Sequence, residues 1–225
     1  SHARVILLEE IVQVEQIGPP TVPAEILSGE DIITPSQSYQ NPYTGEIEQH
    51  PGLGITNLPV YLTLITSMFM HGGIAHLAGN MLYLWIFGDN LENVMGHKRF
   101  LLFYLLCGVL ASLAHVFSTL YFNQAMDIPS LGASGAVSAV IFAGLMLAPE
   151  TEVYIFFIPI PIPGFIFAPL YLLISAIMDR KANDNINHSA HIWGAIYGLL
   201  FVIVAGRLVE YNAIEAGYER IKWYM

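Results

Sequence analysis

Three long stretches of the chain contain no Asp, Glu, Lys or Arg: Pro51 to Gly88, Phe100 to Met126 and Ile128 to Pro149. Five apolar segments emerge from 59–208. A membrane-spanning helix takes about 20 apolar residues, with a range near 17–25. The first segment runs from about Gly73 to Phe87, ended by Gly88, after an apolar lead-in over Pro59–Met70. Phe100–Phe122 is the second. The third, Ser134–Leu147, is stopped by Pro149, and the fourth is Phe165–Met178. The fifth covers His191–Leu208. Pro159, Pro161 and Pro163 forbid a regular helix through the stretch before the fourth, so Val153–Pro163 is expected to be extended. The pattern predicts an all-α, multi-pass membrane protein.

Residues 1–58 read differently. They carry eight acids, one base (Arg4) and turn formers such as Gly18-Pro19-Pro20 and Asn41-Pro42. This is the composition of an aqueous loop or extramembrane segment with little core. The expected organisation is an extramembrane segment 1–58, a membrane domain 59–208 and a C-terminal tail 209–225.

Composition supports a membrane protein. The chain is 55% hydrophobic and only 12% charged, whereas soluble domains are about a quarter charged. The net charge of −10, with eight Lys and Arg in all, offers no basic patch for nucleic acid. A single cysteine, Cys107, excludes a disulfide framework. With five spans, the side of residues 1–58 carries Arg4, Arg180 and Lys181. The opposite side carries Lys98, Arg99, Arg207, Arg220 and Lys222. The positive-inside tendency therefore makes the second side cytoplasmic.

Polar groups inside such segments are costly and mark function. His71, His76 and Asn80 lie early in the first segment, Ser134 opens the third, and His188 and His191 open the fifth. Alternating topology brings all three of these ends to one face. The third segment has about 14 residues, roughly 21 Å of helix, against an apolar layer of about 30 Å. Ser134 is therefore expected about 10 Å below the surface, and His191, seven residues past Asp184, at a similar depth.

These residue types suit acyl transfer. A serine hydroxyl becomes a nucleophile once a base takes its proton, and histidine can accept that proton and return it. The start of a helix presents N–H groups to a developing oxyanion. His76 and Asn80, four residues apart, share a helix face and can add donors. Gly194 and Gly198 form a small-residue stripe that allows close helix approach, opposite Gly135, Ala136, Ala139 and Ala143.

Ser67-Met68-Phe69-Met70-His71-Gly72-Gly73-Ile74-Ala75-His76-Leu77-Ala78-Gly79-Asn80 resembles the His-x4-His-x3-Asn motif of the rhomboid intramembrane proteases. Gly132-Ala133-Ser134-Gly135 resembles their nucleophile motif. Ala190-His191-Ile192-Trp193-Gly194, with Gly198, resembles their base-bearing helix. The match covers about 59–208, and Gly88, Glu92 and Gly96 fit a structural loop motif. The resemblance, to the prokaryotic type, implies a six-helix core whose first helix is absent here or lies upstream of Ser1. It implies a Ser134–His191 dyad and an oxyanion site from His76, Asn80 and the Ser134 N–H. His71, Gly132, Gly135, Gly194 and Gly198 would support that site. It further implies cleavage of transmembrane protein substrates in the lipid bilayer, no cofactor, and residence in a bacterial plasma membrane. The fourth helix and the 179–187 loop would act as gate and cap. Two positions depart from the family pattern: Leu62-Thr63 stands where a Trp-Arg pair is common, and Ser138 where an aromatic residue often follows the nucleophile by four.

Other readings predict other residues. A catalytically silent relative that binds membrane clients usually lacks the serine or the histidine. A transporter would carry intramembrane carboxylates or paired broken helices. A zinc site from His188/His191 or His71/His76 lacks a carboxylate partner and the His-Glu-x-x-His pattern, so no metal is expected. His115 belongs to no motif and reads as structural.

Overall fold

The computed structural model describes residues 20–35, 37–40, 47–50, 53–56, 58–148, 151–154, 161–181 and 188–208. Residues 1–19, the 209–225 tail and most of the expected 179–187 cap loop, Asp184 included, lie outside the described residues. The chain is an all-α helical bundle. Its helices are α1 (Pro23–Ser28), α2 (Thr63–Thr66), α3 (Ile74–Met95), α4 (His97–Tyr121), α5 (Ser134–Leu147), α6 (Gly164–Lys181) and α7 (His188–Leu208). There are two antiparallel strand pairs among the described residues, β1 (Gln37–Gln40) with β2 (Ile47–His50) and β3 (Glu152–Tyr154) with β4 (Pro161–Pro163), and Val153 of β3 is buried in the main core. The described parts of the lead-in to α6, Glu152–Tyr154 and Pro161–Pro163, are extended as expected, and the rest of the expected Val153–Pro163 stretch, Pro159 included, lies outside the described residues.

α5 is the hub, in contact with α3, α4, α6 and α7. Ten of its residues, from Gly135 to Leu145, are buried. A helix apolar on every side belongs in a core, and this one is screened from lipid by its neighbours, which is why 14 residues suffice. The outer helices reverse the soluble pattern. Trp85 on α3, Leu102 on α4 and Leu173 on α6 all point outward, 74%, 67% and 57% exposed. By length and composition α4 can cross a membrane alone. The lead-in Val60–Phe69 and α3, bent by 80°, pass the same test together. The apolar stretches of the other three helices, Ser134–Leu147, Gly164–Ile174 and Ser189–Val204, are shorter.

The first segment does not end at Gly88. Gly88 is buried within α3, where an added Cβ would lie 3.3 Å from both Leu84 and the Phe100 ring. The helix runs on to Met95 and breaks at Gly96, whose φ of 80° belongs to glycine's range. The expected 89–99 loop is therefore one residue of turn, with Glu92 Oε1 2.6 Å from His97 Nδ1 across it. The 20–28 segment also departs from expectation. Thr21, Val22, Glu25 and Ile26 are buried against the bundle. Thr21 exchanges backbone hydrogen bonds with Ser130, and its hydroxyl donates to the Thr63 carbonyl. That anchor sits beside Leu62-Thr63, where the family pair is missing.

The α5–α7 contact is backbone on backbone. A Cβ on Gly194 would overlap the Gly135 carbonyl oxygen, and one on Gly198 would overlap that of Ala139. Neither oxygen can move without shifting a helix. Trp193 Nε1 donates to Ser118 Oγ at 2.7 Å, which fixes α7 against α4. Gly194→Ala and Gly198→Ala are each expected to destabilise by about 1–3 kcal/mol or more. Gly79→Ala, with nothing within 4 Å of its added carbon, is expected to be neutral or slightly stabilising. Thermal melts of the three variants in detergent check this.

Candidate active site

The chain enters α5 through Gly132, at φ 111°, a value that only glycine adopts without strain. Gly132 N–H donates to the Ser67 carbonyl at 2.8 Å, which holds the turn against the lead-in. Ser134 is then the first residue of α5. The first intrahelical bond of the chain there is Val137 N–H to the Ala133 carbonyl. The N–H groups of Ser134, Gly135 and Ala136 precede it and stand at the positive end of the helix dipole.

His76 reaches this same turn from α3. Its Cε1 and Nε2 lie 2.8 and 2.9 Å from the point where a Gly132 Cβ would sit, and Ser134 Oγ lies 3.9 Å from that point. Any side chain at 132 would displace the imidazole. Gly72 N–H donates to His76 Nδ1 at 3.3 Å. An accepting Nδ1 leaves the ring proton on Nε2, so the nitrogen facing Gly132 and Ser134 is a donor. Asn80 is buried one turn on, and its Nδ2 donates to the His76 carbonyl at 3.1 Å. That bond uses one of two amide protons.

His71 lies in the break before α3. Its ring meets His76 edge to face, with centroids 5.2 Å apart. His71 thereby buttresses His76.

His191 approaches from α7. Gly135 lies against the Ala190 carbonyl and side chain on one flank and against Gly194 on the other. Ser134 and His191 are the chain neighbours of that contact. The His191 ring lies nearly parallel to Tyr171, at 25° with centroids 6.5 Å apart. His188 only begins α7. His115 sits on α4 one turn beyond Ala111, and its carbonyl accepts from Thr119. A small cleft opens beside Ser134, lined by Ser67, Ser112, Ser130, Gly132 and Ala190.

The rhomboid domain family model matches residues 59–208. The chain belongs to the rhomboid family. That makes it a membrane protein. This rhomboid is 30% identical over 154 residues to human presenilin-associated rhomboid-like protein, mitochondrial, covering 66% of this chain and 39% of that one. It is 28% identical over 149 residues to yeast Rhomboid protein 1, mitochondrial, covering 66% and 43%. It is 30% identical over 145 residues to Arabidopsis thaliana RHOMBOID-like protein 12, mitochondrial, covering 59% and 43%. The chain thus spans about two fifths of the length of these relatives. None of the three, all named mitochondrial, supports the bacterial plasma membrane expected from the sequence.

Sequence reasoning missed Tyr171 and the serines of the cleft. No spaced motif marks them. The available signal for Tyr171 was a hydroxyl-bearing ring at the i+4 position from Phe167, on the inward face of α6. Nitrogen NMR of the histidine-labelled rhomboid is expected to show His76 as the Nε2–H tautomer. The Nδ1–H form would reverse the donor assignment.

Proposed function

We propose that this rhomboid is an intramembrane serine endopeptidase that cleaves transmembrane proteins. The observation that carries the reading is the meeting of three elements at one turn: the Ser134 hydroxyl at the start of buried α5, the His76 donor from α3, and the α7 backbone next to His191. In this reading His191 takes the proton from Ser134 Oγ as the oxygen attacks the scissile carbonyl. His76 Nε2–H, the second Asn80 amide proton and the Ser134 N–H receive the oxyanion. His191 then gives its proton to the leaving amine, and water, activated by the same imidazole, releases the acyl group. Gly132, Gly135, Gly194 and Gly198 serve by permitting the close approaches, and His71 by supporting His76.

Burial gives these donors their value. A preorganised donor in a water-poor site needs no reorientation during reaction. The cleft hydroxyls of Ser67, Ser112 and Ser130 offer hydrogen bonds to the hydrolytic water at a depth where lipid offers none. Proposed boundaries follow the family match: 59–208 forms the membrane domain, 1–58 is extramembrane and 209–225 is a tail. For location, the names of the relatives favour a mitochondrial membrane over a bacterial one.

A fluorophosphonate probe is expected to label Ser134 in detergent, and Ser134→Ala and His191→Ala are each expected to abolish labelling. Undiminished labelling of either variant would remove that residue from its role. Asn80→Ala is expected to slow turnover of a transmembrane substrate about 10²–10³-fold with the fold intact; unaltered turnover would exclude Asn80 from oxyanion binding.

A further inference from the structure

Ser138 is buried on α5 one turn below Ser134, on the same helix face. Its Oγ lies 2.9 Å from the hydroxyl of Tyr171. The Tyr171 ring comes from α6, not from α5 or α7. It packs against Phe142 of α5 at 5.7 Å between centroids, against Phe167 of its own helix at 6.1 Å, and along the His191 ring at 6.5 Å. One side chain of α6 is therefore wedged between the helix that bears Ser134 and the helix that bears His191.

α6 is the outermost of the three. Ile166, Leu170, Leu173 and Ile174 face away from the bundle, and Pro169 interrupts its hydrogen-bond ladder. Tyr171 is a large anchor on a lightly held helix. Its hydroxyl, tied to Ser138, fixes the long axis of the ring, packing against Phe142 and Phe167 sets its plane, and the face left toward α7 meets His191. Aromatic rings within about 4.5–7 Å attract and restrict one another.

We infer that Tyr171 is the positioning residue for His191, and that it couples the seating of α6 to the orientation of the imidazole. Outward movement of α6 withdraws the ring and lets His191 turn; return of α6 realigns it. The inference rests on the protease reading above, because it assigns Tyr171 an effect on the base of that reaction.

The test uses the whole chain in detergent, with fluorophosphonate labelling of Ser134 followed over probe concentration and with NMR of the His191 ring protons. In Tyr171→Leu the maximal labelling rate is expected to fall about ten- to a hundredfold, with the half-saturating probe concentration unchanged. The upfield ring-current shift of His191 is expected to disappear. Tyr171→Phe, which keeps the ring and loses the tie to Ser138, is expected to recover most of the rate and of the shift, and Ser138→Ala to match it. Phe103→Leu, which disturbs a ring pair with Phe201 at 4.5 Å elsewhere in the core, controls for lost packing. It is expected to lower the melting temperature and leave labelling alone. A Tyr171→Leu protein that labels as fast as wild type, or no slower than Phe103→Leu, overturns the assignment of Tyr171 while leaving Ser134 and His191 in place. Should Tyr171→Leu fail to fold, a Tyr171→Phe protein without any change in rate or in the His191 shift, matched by Ser138→Ala, overturns the tie that fixes the ring. Wild-type protein that is not labelled, or a His191→Ala protein that is labelled normally, sinks the protease reading itself.

Discussion

Two carbonyl oxygens, those of Gly135 and Ala139, lie where side chains on α7 would otherwise be, and the rest of the bundle depends on that approach. Without a hydrophobic driving force between helices in lipid, contact distance decides how much dispersion energy a pair gains. Glycines at 194 and 198 bring the two backbones together over a full turn. The approach also fixes which residues can meet. Gly135 is pressed between Ala190 and Gly194, the chain neighbourhood of Ser134 on one helix and of His191 on the other.

Much of this was legible because the membrane limits what a polar residue can be doing. Ser134, His76, Asn80 and His191 stood out as polar groups in apolar segments, and the structure brings His76 of α3 to the turn that bears Ser134. The Gly194/Gly198 stripe announced close packing by its spacing. The bounds of α5 followed from its flanking sequence. What stayed hidden depended on tertiary detail. Gly88 looked like a helix end, yet it is an interior glycine admitted because Leu84 and Phe100 crowd it. The true break is Gly96, and nothing local distinguishes the two; only the left-handed dihedral does.

The pairing of Ser138 with Tyr171 was beyond reach for a different reason. A small residue in place of an aromatic one reads as a loss when only α5 is considered. In three dimensions the volume is returned from α6, by a residue 33 positions away. Substitutions of this sort conserve a filled space while changing which helix fills it, and a single sequence shows only the gap. Thr21 behaves similarly. A threonine among prolines and acids gives no sign that it will be buried between Thr63 and Ser130.

The bridge between Thr21 and Ser130 has a consequence for the turn that follows it. Both backbone groups of Ser130 are spent on Thr21, and Gly132 N–H is spent on Ser67. The chain that leads into Ser134 is thus held from two separate segments before α5 begins, so a shift in either is transmitted to the turn that carries the hydroxyl.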